Sequence, residues 1–104
     1  MCKYSIVVPA YNEEKSLQLF YDAVTPMMET TGETIEIIFV NDGSRDETKN
    51  IINALADKDE RVKGCHFSRN FGQQAAFLCG FEHAQGQAVI AMDADLQDPP
   101  EVAL

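Results

Sequence analysis

The chain has 104 residues, of which 45% are hydrophobic and 24% charged, which predicts one globular domain. Its formal net charge of −9 argues against binding to DNA or RNA, which needs clustered basic residues. There is no run of 18 apolar residues and no signal peptide pattern, so we expect no membrane-spanning segment here. Cys2, Cys65 and Cys79 are widely separated, which indicates free thiols in the cytoplasm rather than a zinc site or a disulfide framework.

The first part of the chain predicts a strand, a helix and a second strand. Residues 4–9 are β-branched and apolar and predict the first strand. Residues 13–31 predict a helix that Pro26 should kink or end. Its core-facing stripe has helical spacing and consists of Leu17, Phe20, Tyr21, Val24, Met27 and Met28. Residues 35–40 predict the second strand.

The second part of the chain repeats this alternation. Ser44-Arg45-Asp46-Glu47 has the form of a capping box, so a second helix should begin just after Ser44. Residues 62–67 predict a third strand, 73–84 a third helix, and 88–92 a fourth strand whose apolar run is typical of a buried strand. The side chains expected to face inward from the third helix are Phe77, Leu78 and Phe81. Alternating strands and helices predict an α/β fold with a parallel sheet.

Two carboxylates, Asp93 and Asp95, directly follow the fourth predicted strand. Ligands of parallel α/β sheets bind at the carboxyl ends of the strands. Acids at i and i+2 with no basic residue beside them repel each other unless a proton or a cation joins them. We therefore predict a Mg²⁺ or Mn²⁺ site that carries a phosphorylated substrate, with a turn or N-cap role as the alternative. Asp57-Lys58-Asp59 has the same spacing but is typical of a solvated helix end.

Polar residues follow the other strands as well. Tyr11 and Glu13 could stack on and hydrogen-bond a base, or Asn12 could cap the first helix while the acids complement its dipole. Asp42 could bind a base or a ribose hydroxyl, or simply form a turn. Arg69 and Asn70 could reach a phosphate, or Arg69 could form a surface ion pair. His66, in a predicted strand, and His83, on a predicted helix, are expected to be structural.

Three segments together resemble family 2 glycosyltransferases with the GT-A fold. They are VVPAYNEE at residues 7–14, VNDGS at 40–44 and MDADLQDPP at 92–100. The segment SRNFGQQAA at 68–76 resembles the polyprenyl-phosphate branch, which includes dolichol-phosphate mannosyltransferase and bactoprenol glucosyltransferase. The resemblance implies a Rossmann-like half of a GT-A domain, with a mostly parallel sheet in the order 3-2-1-4 and flanking helices.

The resemblance also implies roles for individual residues. The nucleoside pocket would be lined by Pro9, Tyr11, Glu13 and Asp42, and the donor pocket by Ala94 and Gln97. Asp93 and Asp95 would hold the metal, with Asp95 as the more direct ligand and the catalytic residue, and Arg69 could contact the diphosphate. Asn41 stands where the family often has Asp, which weakens a role for that position.

The expected function is metal-dependent transfer, with inversion, of a sugar from a UDP- or GDP-sugar to an acceptor, which for this branch is a polyprenyl phosphate. The segment Asp98-Pro99-Pro100-Glu101 looks like a helix start with only three residues after it. We therefore expect residues 1–104 to be the donor-binding part, truncated before the acceptor region, with a frayed natural terminus as the alternative. The full-length parent is expected at the cytoplasmic face of a membrane, and the fragment should be inactive alone.

Two other functions are compatible with an α/β sheet. A signalling module of the receiver type also has an acidic Mg²⁺ pocket, but its acids follow strands one and three, whereas here they follow strands one, two and four. A dinucleotide-binding oxidoreductase would need G-x-G-x-x-G after the first strand. If the strand order is 3-2-1-4, the apolar fourth strand is an exposed edge, which predicts pairing between two copies of the chain.

Overall fold

A computed structural model describes residues 3–94, which fold into a four-stranded parallel sheet with helices on both faces. The elements in chain order are β1 (Tyr4–Ala10), α1 (Leu17–Thr31), β2 (Ile35–Asn41), α2 (Thr48–Lys58), β3 (Val62–His66), α3 (Gln73–His83) and β4 (Ala88–Ala91). The sheet order is β3-β2-β1-β4, and every neighbouring pair is parallel. The predicted α/β class, parallel sheet and strand order are confirmed. None of the described helices is both long and apolar enough to cross a membrane.

Alternate residues of the strands bury two apolar clusters, one on each face of the sheet. α1 and α2 cover the first face, where Phe20 packs edge-to-face on Phe39 with the ring centroids 6.0 Å apart. Burying a side chain of this size contributes about 1.5–3 kcal/mol. The predicted stripe of α1 is confirmed, but the helix continues past Pro26 to Thr31. Burial of the α1 stripe outweighs the backbone hydrogen bond that the proline removes.

α3 covers the second face through its small residues. Ala76 and Gly80 are its buried positions, and a Cβ added to Gly80 would lie 2.2 Å from Val7 Cγ1. Leu78 and Phe81 are 61% and 46% exposed, so the prediction that they face inward is wrong. The close approach of α3 to β1 leaves no room for large side chains between them.

β4 is an edge strand, and three of its four residues are exposed. The prediction of a buried fourth strand is therefore wrong for the described residues. β4 pairs with β1 only, and α3 alone covers the face of the sheet to which Val89 belongs. Val89 is consequently 43% exposed.

The buried carboxylate of Glu36, on β2, links β1, β3 and the α3–β4 loop at the face of the sheet that α3 covers. Its oxygens accept hydrogen bonds from Ser5 Oγ at 2.5 Å, from the Gln85 N–H at 2.7 Å, and from Lys63 Nζ. Burial alone would raise the pKa of Glu36, but the hydrogen bonds from Lys63, Ser5 and Gln85 hold it below its ordinary value. The Glu36 carboxylate therefore stays charged inside the fold, because β1, β3 and the α3–β4 loop each donate a hydrogen bond to it.

Candidate active site

The direction of the crossovers reverses between β1 and β4. α1 leads from β1 to its neighbour β2, whereas α3 leads from β3 across the other face to β4 on the far side of β1. Such a reversal leaves a crevice outside the carboxyl ends of the two strands, which is where open α/β sheets bind ligands. The segments that follow β1 and β4 are therefore the candidate walls of a site.

A cleft of about 380 Å³ opens at this point, a volume within the range of small-molecule sites. Its lining residues are Pro9, Ala10, Tyr11, Glu13, Asp42, Asn70, Gly72, Gln73 and Asp93. The structure thus brings together six residues that the sequence placed in a site, from the ends of all four strands. Three of the lining residues are acids, and none of those described is Lys, Arg or His.

Asp42 is almost fully buried, with 4% of its surface exposed, and its carboxylate holds the β3–α3 loop. Oδ1 accepts a hydrogen bond from the Phe71 N–H at 2.7 Å, and Oδ2 accepts one from the Gly72 N–H at 3.0 Å. The Asn70 amide donates to the Asp42 carbonyl oxygen at 3.3 Å. Asp42 therefore positions one wall of the cleft, and a nucleoside would have to use its remaining lone pairs.

Gly43 brings the β2–α2 loop against the backbone of the β3–α3 loop. Its φ of 72° lies in the left-handed region, and an added Cβ would lie 2.2 Å from the Arg69 carbonyl carbon and 2.4 Å from Asn70 N. Only glycine fits both the dihedral angle and the space. The Asp-Gly pair of this turn is thus needed to pack the two loops that form one side of the cleft.

The β1–α1 loop is fastened to the β2–α2 loop by hydrogen bonds. The Asn12 N–H donates to Ser44 Oγ, Asn12 Oδ1 accepts from the Arg45 N–H, and the Glu13 N–H donates to Thr48 Oγ1, each at 2.9 Å. These bonds hold the backbone at Tyr11 and Glu13 beside the cleft.

Both capping predictions fail for the same reason. α1 begins at Leu17 and not after Asn12, and α2 begins at Thr48 and not after Ser44. The side chains of Asn12 and Ser44 are occupied by each other's loop, so neither is available to cap a helix. Asp46 instead accepts hydrogen bonds from the N–H and the hydroxyl of Thr48, the first residue of α2.

Asn41 connects this region to His66. Its Oδ1 accepts from the Ser44 N–H at 2.9 Å, and its Nδ2 donates to His66 Nδ1 at 3.1 Å. His66 Nε2 in turn donates to Asn53 Oδ1 at 2.9 Å. Burial, with a smaller effect of the Lys49 charge, lowers the pKa of His66. The neutral ring is a structural hydrogen-bonding group, as the sequence predicted, and an amide at position 41 supplies the donor that it needs.

The remaining predicted site residues lie in different places. Asp93 is exposed and lines the cleft, whereas Ala94 is 2% exposed and belongs to the hydrophobic core. The Arg69 guanidinium stacks over the Phe71 ring, 4.6 Å from its centroid, and Arg69 is not among the residues that line the cleft. Asp95, Gln97 and the predicted helix start at 98–101 lie outside the described residues.

Sequence reasoning missed three residues of the cleft wall, namely Ala10, Gly72 and Gln73. Ala10 and the β3–α3 loop residues lie at the same edge of the sheet as the predicted site. Position after a strand end was therefore the signal that could have found them.

Comparisons with known proteins agree on one family. The family model described as "Glycosyl transferase family 2" matches residues 5–104. A "Bactoprenol glucosyl transferase" of Shigella phage SfV is 50% identical over 100 residues, which cover 96% of this chain and 33% of that protein. An "Undecaprenyl-phosphate 4-deoxy-4-formamido-L-arabinose transferase" of Shewanella sediminis (strain HAW-EB3) is 45% identical, over 93% of this chain and 30% of that protein. The chain thus spans about a third of the length of these curated relatives.

Solved structures share the fold. Staphylococcus aureus TarS 1-349 in complex with UDP superposes with a TM-score of 0.73 at 26% identity, over 89% of this chain and 27% of that chain. Mannosyltransferase PcManGT from Pyrobaculum calidifontis, in complex with GDP-Man and Mn²⁺, gives a TM-score of 0.73 at 21% identity, over 97% of this chain and 30% of that chain. The predicted GT-A fold is confirmed, and the family match favours a transferase over the receiver-type alternative.

Proposed function

Because this chain belongs to glycosyl transferase family 2, we propose that it forms the part of a glycosyltransferase that binds a UDP- or GDP-sugar donor. The proposal depends on the cleft at the carboxyl ends of β1 and β4, where the direction of the crossovers reverses. Glu13, Asp42 and Asp93 line this cleft, and none of its described lining residues is basic. A related structure of the same fold, TarS 1-349, contains UDP.

The charges of the cleft argue for a metal-bound donor. A nucleoside diphosphate is anionic, so the acidic walls would repel it unless a divalent cation lies between them. The residues fit such an ion, since carboxylate oxygens are the ligands that Mg²⁺ and Mn²⁺ prefer and the Asp93 carboxylate is exposed in the cleft. We propose that Asp93 and Asp95 hold it, with Asp95 as the catalytic ligand. When bound, the ion would neutralise the negative charge of the leaving diphosphate.

The remaining residues of the cleft can orient the nucleotide-sugar donor. Tyr11 is 44% exposed at the cleft and can stack on a base, with Pro9 as a rigid neighbour. The amides of Asn70 and Gln73 offer donors and acceptors to a sugar or a diphosphate. The loop before α3 is already fixed by Asp42, so little conformational freedom is lost on binding. Attack on the anomeric carbon from the side opposite the diphosphate inverts its configuration.

We propose a polyprenyl phosphate as the acceptor of the full-length protein, at the cytoplasmic face of a membrane. The support is the names of relatives that are 45–50% identical, "Bactoprenol glucosyl transferase" and "Undecaprenyl-phosphate 4-deoxy-4-formamido-L-arabinose transferase". A phosphate oxygen is already anionic at neutral pH, so this nucleophile has little need of a strong base. We propose that residues 1–104 bind donor without turning it over, because relatives devote about two-thirds of their length to other parts.

Calorimetry on this chain with UDP and GDP, with and without Mn²⁺ or Mg²⁺, tests the donor site. We expect binding that requires the metal and is lost in the Asp93→Asn, Asp95→Asn double variant. The matched control is Asp22→Asn, Asp57→Asn, which removes the same charge from exposed positions on α1 and α2. Nucleotide binding that needs no metal, or that is equal in the two double variants, would refute the proposal.

We also propose that two copies pair through the β4 edge. Within the described part of the chain, β4 pairs only with β1, and its exposed residues are apolar. Light scattering at high concentration should give about twice the 11.6 kDa of one chain. Val89→Lys should shift the mass to that of a monomer, whereas a monomeric mass for the unaltered chain would contradict the pairing.

A further inference from the structure

A second group of ligand-type side chains lies where α3 packs on the outer part of the sheet, apart from the cleft. Cys65 is on the edge strand β3, and Cys79 and His83 are at i and i+4 on α3. The two sulfurs and one ring nitrogen all lie within 4.8 Å of one another, and Cys79 Sγ is 3.8 Å from His83 Nδ1. None of the three residues lines the cleft.

We propose that Cys65, Cys79 and His83 bind Zn²⁺, with water as the fourth ligand. Two thiolates and one imidazole are a set of three protein ligands that tetrahedral zinc accepts, and Zn–S and Zn–N bonds of about 2.3 and 2.0 Å place ligand atoms about 3.4–3.8 Å apart. The observed separations are already within about 1 Å of that requirement. Soft thiolates select zinc over Mg²⁺ or Mn²⁺, so this site is chemically distinct from the acidic cleft.

One side of the proposed zinc site is apolar and the other side is open to solvent. Cys65 and Cys79 are partly buried beside the aromatic side chains of Phe67 and Phe77, in the apolar cluster under α3. His83 is exposed, so the opposite side is open to solvent. His83 Nδ1 also lies 2.8 Å from the Cys79 carbonyl oxygen. This exposed hydrogen bond is weak, and the ring can rotate away from it to coordinate the ion.

A disulfide is the competing outcome for two neighbouring thiols. Oxidation would join the two sulfurs only, whereas His83 beside Cys79 completes a set of three ligand atoms that an ion can share. Zinc instead displaces the protons, since two S–H bonds are lost as two Zn–S bonds form and two protons go to solvent. A disulfide would also leave His83 without a role.

The ion would fasten α3 to β3 and add to the few buried contacts of α3. Only Ala76 and Gly80 of α3 are buried, whereas Leu78 and Phe81 are exposed. A bond from Cys79 to Cys65 through zinc closes the segment that contains the β3–α3 loop. Since Gly72 and Gln73 of that loop and helix start line the cleft, zinc would also steady one wall of the proposed donor site.

The test titrates the reduced, chelator-treated chain with Co²⁺ and then competes the bound Co²⁺ with Zn²⁺. We expect a thiolate-to-Co²⁺ charge-transfer band that saturates at one Co²⁺ per chain, together with the d–d bands of a tetrahedral site. Cys65→Ser and Cys79→Ser should each weaken Zn²⁺ binding by about 100-fold or more, and His83→Ala by about 10–100-fold. Cys2→Ser and His66→Gln are the matched controls and should bind as the unaltered chain does.

His83→Ala keeps the test independent of folding, because removing an exposed side chain leaves the core intact. Far-ultraviolet circular dichroism verifies the fold of the two serine variants. The proposal is wrong if no thiolate band forms, if the band survives in the Cys65→Ser, Cys79→Ser double variant, or if it requires Cys2. It is also wrong if air oxidises the metal-free chain to a Cys65–Cys79 disulfide, seen as the loss of the mass of two hydrogen atoms, while Zn²⁺ fails to bind the reduced chain.

Discussion

Replacing Gly43 with alanine should destabilise the protein more than the same replacement at Gly32. The two glycines have nearly the same positive φ, 72° at Gly43 and 70° at Gly32. Their surroundings differ, since nothing lies within 4 Å of a Cβ at Gly32, whereas a Cβ at Gly43 would meet the backbone of Arg69 and Asn70 at 2.2 and 2.4 Å. Gly32→Ala therefore measures the strain of the left-handed conformation alone.

The two contributions can be separated in size. A β-carbon in the left-handed region costs about 1–2 kcal/mol, and alanine returns about 0.4–1 kcal/mol by restricting the unfolded chain. Gly32→Ala should thus lose about 0.5–1.5 kcal/mol of stability. At Gly43 the loop backbone must also move, and overpacking adds about 1–3 kcal/mol. We expect a total loss of about 2–4 kcal/mol for Gly43→Ala.

Urea unfolding followed by circular dichroism measures both losses, and amide chemical shifts report the site. The shifts of Phe71 and Gly72 should change in Gly43→Ala, because their N–H groups donate to the neighbouring Asp42 carboxylate. The same shifts should be unaffected in Gly32→Ala. Equal losses of stability in the two variants, or unchanged Phe71 and Gly72 amides in Gly43→Ala, would show that the loop contact does not constrain the cleft wall.

Three further predictions concern single residues. Asn41→Asp replaces the donor to His66 Nδ1 with an acceptor, so the ring must bind a proton and its pKa should rise. The unaltered chain, whose His66 pKa is lowered, loses stability as the pH falls below about 6.5. The variant, with a His66 pKa above that value in the folded state, should instead gain stability as the pH falls towards about 6.5 and keep it at lower pH. An NMR titration that leaves the His66 pKa unchanged would count against this. Hydrogen bonds from Arg61, and then from the Tyr21 hydroxyl, lower the pKa of Asp59, so its contribution is present above about pH 4 and lost as the pH falls. Asp59→Asn should lower the free energy of unfolding by about 1 kcal/mol at pH 7, a small value because Arg61 is 35% exposed, and by much less at pH 2. Asp57→Asn, at an exposed position, should leave the free energy of unfolding unchanged at both pH values. Gly80→Ala should lower the free energy of unfolding by about 1–2 kcal/mol, because overpacking against Val7 exceeds the gain in helix propensity. Adding Val7→Ala makes room for the new methyl group, so the double variant should lose less stability than the sum of the two single variants. Additive losses would disprove the contact.

Much of the fold could be predicted because it depends on local periodicity. The stripe of α1, the alternation of strands and helices, and the acids that follow strand ends are all patterns within short windows of sequence. Parallel strands share one carboxyl edge, so position after a strand was enough to bring Tyr11, Asp42 and Asp93 to one cleft. The capping predictions for Asn12 and Ser44 failed because they depend on a contact that is not local. The two residues are 32 positions apart in the chain, and each forms a hydrogen bond with the loop of the other.

The amino-acid sequence by itself determined the class of fold, the parallel sheet and the edge at which the polar residues gather, since each follows from the order and period of side chains along the chain. The tertiary structure alone decided that Ala76 and Gly80, rather than Leu78 and Phe81, meet the sheet, and that Cys65 lies beside Cys79 and His83. These contacts depend on how closely and in what register α3 lies over its strands. Distance between packed elements leaves no period in the sequence, because it is set by the volumes of residues that are far apart in the chain.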